Sequence, residues 1–196
     1  MSPLTHVLAS WLIAAKTTRN PRDCRLATLA GLLPDADGLG MIVDIANSLP
    51  GHKPTQYYAH FHHYWLHGIF GAALITLTLT LFARDKLRVA IVALFLFHLH
   101  LLCDLVGSRG PSPEDLWPIF YFGPFDKDPM WLWKGQWQLD GWQNRIVFVI
   151  AFAAAIFVAV RDGHSVVGVF NRRADRAVMA VVRGWVARLR NRSAPD

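Results

Sequence analysis

The chain has 196 residues, enough for one domain and a tail. Hydrophobic residues make up 53% and charged residues 17%, which excludes a disordered chain and is too apolar for an ordinary soluble domain. The net charge is +6, and the two cysteines, Cys24 and Cys103, exclude a disulfide framework or a cysteine zinc cluster.

The start, MSPLTHVLASWLIAAK, has no positive segment ahead of its apolar stretch, so no secretory signal is read there. The pattern predicts a short helix over Leu4 to Ala15, with Ser2 or Thr5 as its cap and Pro3 in an early position. KTTRNPRDCR follows and reads as a basic turn. A second apolar stretch, Leu26 to Leu33, stops at LLPDADG, where Pro34 and Gly38 break it. Residues 39 to 60 contain the turn-rich NSLPGHKPTQ. The next apolar run is Gly68 to Ala83, whose ITLTLT could alternate as a strand but sits in a run too long for one. After the turn ARDKLR, Leu87 to Val106 is apolar except at His98, His100 and Asp104. Residues 107 to 144 form a long aromatic loop punctuated by proline, Ile146 to Val160 is apolar again, and a basic tail closes the chain.

The expected class is therefore all-α, a polytopic membrane helical bundle. A spanning helix needs about 20 apolar residues. Leu87 to Val106 meets that length, while 68–83 and 146–160 reach it only with their flanks. Leu4 to Ala15 and Leu26 to Leu33 are too short and would form a half-embedded hairpin. If each run reverses direction, residues 16–25, 84–88 and 161–196 share one side and hold 15 of the 20 basic residues. The positive-inside rule makes that side cytoplasmic, with the C-terminus. The expected organisation is a membrane-embedded unit over 1–162 and a basic amphipathic tail over 163–196.

The other side collects the polar chemistry. His6 follows Thr5 at the head of the first helix; Asp35 and Asp37 follow Leu-Leu-Pro; His62, His63 and His67 lie in HFHHYWLHG; and His100 and Asp104, four apart, share a helical face. Glu114 and Asp115 follow in the loop. Imidazole and carboxylate together suit zinc, and also manganese or iron. A metal with an open position acidifies water into a nucleophile, with an aspartate as proton acceptor. Aspartate and histidine inside an apolar helix are costly unless paired, ligated or facing water. Read singly these residues are bland: His52 and His98 as ordinary polar or packed side chains, His6 as a helix-start residue, Asp35 and Asp37 as a helix-stop turn. His63 and His67 would share one helical face, and a His62/His67 pair would need His62 outside the helix. His164 reads as a turn residue.

The order THVLAS, LLPDAD, HHYWLH, HLLCD and DLWPIF resembles the LexA-regulated, inner-membrane metal-dependent hydrolase-like family, over roughly residues 3 to 125. The resemblance implies a bacterial inner-membrane protein with a metal-dependent hydrolase activity. The same ligand order is similar to zinc-dependent phospholipase C, with His6, Asp35 or Asp37, His67 and His100-x-x-x-Asp104 in sequence. The chain departs from the phospholipase pattern in lacking a downstream HxxxE pair, and from the family's His-Arg-x-x-Thr-His-Ser motif in placing His63, Leu66 and Gly68 where that motif has Arg, Thr and Ser. Together these imply hydrolysis of a phosphoester, lipid-linked by preference, on the outer side of the membrane, with Asp35 and Asp37 as catalytic carboxylates. The expected metal set is His6, Asp35, Asp37, His62, His63, His67, His100 and Asp104. The rival reading is a non-enzymatic metal-binding membrane protein or a transporter; a structural site would be closed, and a transporter would carry polar residues through mid-depth rather than at one end.

Trp117, Trp131, Trp133, Trp137 and Trp142 make an interfacial aromatic belt or a lid over a lipid substrate. Few basic residues accompany them, which sets nucleic-acid stacking aside. In the tail, Val178, Val181, Trp185 and Leu189 recur at helical spacing among Arg172, Arg173, Arg176, Arg183, Arg188 and Arg190. That is an amphipathic helix for an anionic lipid surface, with DNA as the second partner for the same charge.

Overall fold

The computed structural model describes residues 1–51 and 53–192, the last four of them by backbone alone. The readings of His52 and of the side chains of Leu189 and Arg190 lie outside that description. Helices and turns make up the described residues; the only strand-like pairing among them is two isolated bridges, Arg109 with Gln138 and Ile119 with Trp131.

α1 spans Pro3–Thr17, with Pro3 in its first turn and the Ser2 side chain accepting from the Thr5 backbone N–H at 3.3 Å. α2 spans Pro21–Ala30. It begins earlier than the charge pattern suggests: Asn20 caps it through the Asp23 N–H at 3.0 Å and Pro21 opens it, so the turn is only Thr18–Asn20. Gly31 lies where α2 crosses α1; a Cβ there would stand 1.8 Å from Ser10 Oγ. The helix breaks before Pro34, which cannot donate to the ladder. A 3₁₀ segment follows at Leu33–Leu39, then α3 at Gly40–Asn47, bent by 50° from α2. The sequence pattern marks no helix in 39–60, where only the turn-rich NSLPGHKPTQ is singled out; the eight residues of α3 are too few for their periodicity to stand out.

α4 is the short Tyr57–Phe61 and α5 is Ile69–Leu81. Residues 62–68 between them are not helical, and His63 has φ of 66°. His63 and His67 therefore do not share a helical face as expected; a left-handed residue turns the chain back there, a conformation that histidine tolerates better than most. α6 spans Lys86–Gly107 and α7 Trp142–Asp162, both long and apolar enough to cross a membrane. The bent pair of α2 with Leu33–Asn47 could serve as a third crossing. α8 spans Arg172–Arg192.

α1 and α2 pack together, α5 packs on α6, and α7 packs on α1. Trp11, Leu96 and Phe97 fill the centre, and Val169 and Met179 join the same interior, so the start of the tail is packed on the bundle. Leu87, Ile91, Phe95 and Leu102 of α6 and Val149, Ile150 and Phe157 of α7 stay exposed, an apolar perimeter of the kind a bilayer covers. The alternating directions put the loops at two ends. One end gathers the 18–20 and 82–85 turns and the 163–171 segment; there the Arg88 guanidinium donates to Thr17 O at 2.9 Å and Lys16 pairs with Asp162 at 3.2 Å. The other end, about 33 Å away along the 22 residues of α6, gathers the histidines.

Candidate metal centre

Four pieces of chain meet at that second end. The first turns of α1 carry His6. The break after α2 frees the Gly31 carbonyl, and the 3₁₀ segment behind it carries Asp35 and Asp37. The irregular 62–68 stretch brings His62, His63 and His67. The last turns of α6 present His100 and Asp104 on one face. Gly68 has no room for the serine of the His-Arg-x-x-Thr-His-Ser motif: a Cβ would stand 2.4 Å from the Tyr121 carbonyl of the aromatic loop.

Asp104 is buried and sits at the centre. Its Oδ1 is held by His6 Nε2 at 3.0 Å, by the Ser108 hydroxyl at 3.1 Å and by the Met1 amino group. Its Oδ2 lies 2.9 Å from His100 Nε2, 3.5 Å from His67 Nε2 and 4.0 Å from His63 Nε2. Asp35 Oδ1 closes the group at 3.6 Å from His100 Nε2 and 3.9 Å from His67 Nε2. Ligand atoms bonded at about 2.1 Å around one tetrahedral ion stand about 3.4 Å apart. The observed spacings straddle that value.

The proton positions sharpen the case. His100 Nδ1 lies 3.0 Å from the Gly31 carbonyl, which can only accept, so Nδ1 carries the proton. His67 Nδ1 lies 3.0 Å from Asp37 Oδ2 and likewise donates. In their neutral forms both rings then aim lone pairs at each other, with the two Nε2 atoms 3.1 Å apart. Asp104 Oδ2 and Asp35 Oδ2 are buried with no hydrogen-bond donor. Burial alone would lower the His67 pKa, but the neighbouring Asp104 and Asp37 carboxylates outweigh it and raise the value to about 9. One proton on His67 Nε2 would serve either His100 Nε2 or Asp104 Oδ2, and not both. A cation between His67 Nε2, His100 Nε2, Asp104 Oδ2 and Asp35 Oδ1 serves all four acceptors at once, so the donor set fits a metal ion.

Asp35, His67, His100 and Asp104 form one group able to hold an ion, and His62, His63 and His67 form a second that shares His67. Burial first, then the neighbouring charges of His67 and His62, hold the His63 pKa well below its ordinary value and keep it neutral. Asp37 and His6 stand one step back. Asp37 accepts from His62 Nδ1, His67 Nδ1 and the Leu66 N–H, each at 3.0 Å, which fixes the tautomer of both rings. His6 packs on His100 with ring centroids 3.8 Å apart. Glu114 and Asp115 are exposed and outside both groups; Asp115 instead accepts from the Trp117 indole at 3.1 Å. His98 turns away to Tyr121, 2.9 Å from its hydroxyl, and His164 lies at the opposite end against Trp11.

Three participants have quieter sequence signals. Ser108 is one helical turn beyond Asp104. Tyr58 is four residues before His62 and stacks on it at 4.6 Å. The Gly31 carbonyl is freed by the break ahead of Pro34. Beside the cluster lies a cavity of about 590 Å³ reached by Asp35, His62, His63 and Asp104 and otherwise lined by Leu32, Leu33, Leu39, Met41, Trp117 and Leu139 among others.

A family model described as YdjM inner membrane protein matches residues 1–171. No match was found among curated proteins or among solved structures.

Proposed function

We propose that this chain, which belongs to the YdjM inner membrane protein family, is a metal-dependent hydrolase of lipid-linked phosphoesters. The observation that carries the reading is the meeting of two imidazole lone pairs with the donor-less Asp104 Oδ2 and with Asp35 Oδ1 beside a largely apolar cavity. In this reading Asp35, His67, His100 and Asp104 hold the ion, and His62 and His63 offer a second position. A bound divalent ion, zinc first and manganese or iron next, would acidify a water and polarise a phosphoryl oxygen. Asp37 aims His67 and His62 through their Nδ1 protons, and His6 and Ser108 fix the Asp104 carboxylate. Asp35 lines the cavity and brings Oδ1 to the histidines, which suits it to take the proton of the attacking water. The apolar wall formed by Leu33, Leu39, Met41 and Trp117 would take the substrate's hydrocarbon part while its phosphate reaches the histidines.

The basic end faces the cytoplasm in this reading and the His/Asp end the outer side, since Lys16, Arg25, Arg84, Arg88, Arg172 and Arg176 cluster at the former. Reporter fusions after Asp85 and at the C-terminus should report cytoplasm, and one within 126–140 the outer side. Metal analysis of the purified protein and a panel of lipid-linked and water-soluble phosphoesters test the activity. Bound metal with turnover of the lipid-linked substrates is the expected result. Bound metal with no turnover on the panel would make the cluster a structural or transport site.

A further inference from the structure

The basic end carries a pair of neighbouring cavities that the hydrolase reading does not use. Between α7 and α8 runs a groove of about 530 Å³, walled by Phe152, Ile156, Ala159, Val178, Val181 and Trp185 among others and almost wholly apolar. Ser165 also lines a second, neighbouring cavity of about 380 Å³ bordered by Arg25, Arg172, Arg176, His164 and Asp175. Asp175 is the one carboxylate there, and its Oδ1 is engaged by the Ser165 N–H at 2.8 Å and the Ser165 hydroxyl at 2.6 Å. Arg25 is fixed by Nε donating to Val169 O at 2.9 Å. Three guanidinium groups against one occupied carboxylate leave a net positive pocket.

We infer that these neighbouring cavities together bind one anionic phospholipid, its phosphate among Arg25, Arg172 and Arg176 and an acyl chain in the groove. The order of the two cavities along the molecule carries the assignment. α7, a candidate span, ends at Asp162. The groove residues Ala159 to Phe152 lie 3 to 10 residues before that end, about 5 to 15 Å deeper. Arg172 and Arg176 follow that end in the first turns of α8, and Arg25 lies near the start of α2 at the same basic end of the bundle. Charge outside and hydrocarbon below is the polarity of a lipid standing in its leaflet. A soluble anion would need the arginines and have no use for the groove.

The test is native mass spectrometry of the full-length protein in detergent with added dioleoylphosphatidylglycerol or dioleoylphosphatidylcholine. The wild type should retain one phosphatidylglycerol and no phosphatidylcholine. Arg172→Gln/Arg176→Gln should weaken that retention about thirtyfold, from the electrostatic worth of two surface arginines. The charge-matched pair Arg173→Gln/Arg188→Gln, outside both cavities, should keep it. Val181→Asn, an exposed position on the groove, should weaken it without altering charge. Equal loss in both arginine pairs, equal retention of phosphatidylcholine, unchanged binding in Val181→Asn, or inorganic phosphate binding as tightly as the lipid would each overturn the site. Val181→Asn keeps the test open should the first pair fail to fold.

Discussion

Two buried aspartates stand at opposite ends of the bundle, and they differ in one respect. Asp23, at the basic end, accepts from Asn20 Nδ2 at 2.7 Å, from the Arg84 N–H at 2.8 Å and from the Asp85 N–H at 3.0 Å. Both of its oxygens are served, and it clips the turn between α5 and α6 onto the first turn of α2. Asp104, at the histidine end, has one oxygen served by three donors and the other by none. A buried carboxylate with every lone pair occupied is a fastening. One whose bare oxygen faces imidazole lone pairs is a place for a cation. Burial and residue type alone do not separate the two; the donor inventory does.

The largest expected effect follows directly. Asp104→Asn keeps the volume and removes the charge, so the protein should fold and its metal content should drop to background. A chelator should lower the unfolding temperature of the wild type and leave that of Asp104→Asn unmoved, because an ion that binds only the folded state stabilises by mass action. Metal retained at wild-type level in Asp104→Asn would dissolve the contrast between the two ends.

Asp23→Ala should behave in the opposite way. It leaves two backbone N–H groups without their charged acceptor, a loss of about 3 kcal/mol, read as a lower unfolding temperature. Metal content should stay at the wild-type level. Asp37→Asn lies between them: it touches no ion in this reading but orients two rings that do. A loss of such outer support costs about 10- to 100-fold in metal affinity, measured by competition with a chelator of known strength. An Asp37→Asn protein that binds metal as tightly as the wild type would remove Asp37 from the positioning role.

What the sequence made legible follows the length scale of each signal. α6 was readable as a span because its apolar run alone reaches the needed length, whereas 146–160 reaches it only with the flanks that α7 adds at both ends. His100 and Asp104 were readable because one helical period relates them. The start of α2 was legible in principle from Asn20-Pro21, but the surrounding arginines drew the stretch toward a turn. α3 was hidden by its brevity. At His62, His63 and His67 the helical period misled, since a left-handed His63 breaks it. The difference between Asp35, which faces the cluster, and Asp37, which stands behind it, depends on where a 3₁₀ segment points its side chains. Only the tertiary structure decides that.

The smallest effect concerns His98, which lies two residues from His100 on the same helix. That offset is about 200° of rotation, and it sends His98 to the aromatic loop. Its Nδ1 donates to Leu94 O at 2.8 Å within α6, so Nε2 must accept from the Tyr121 hydroxyl at 2.9 Å. Tyr121 in turn stacks on Trp131 with centroids 4.2 Å apart and planes 9° from parallel. His98→Gln cannot keep both hydrogen bonds in that geometry, so it should cost roughly 1 kcal/mol and change the Trp emission of the loop. Metal content should not change. Metal lost in His98→Gln and kept in Asp104→Asn would put the ion on the other face of α6, against the aromatic loop, and the bare oxygen of Asp104 would then need a different account.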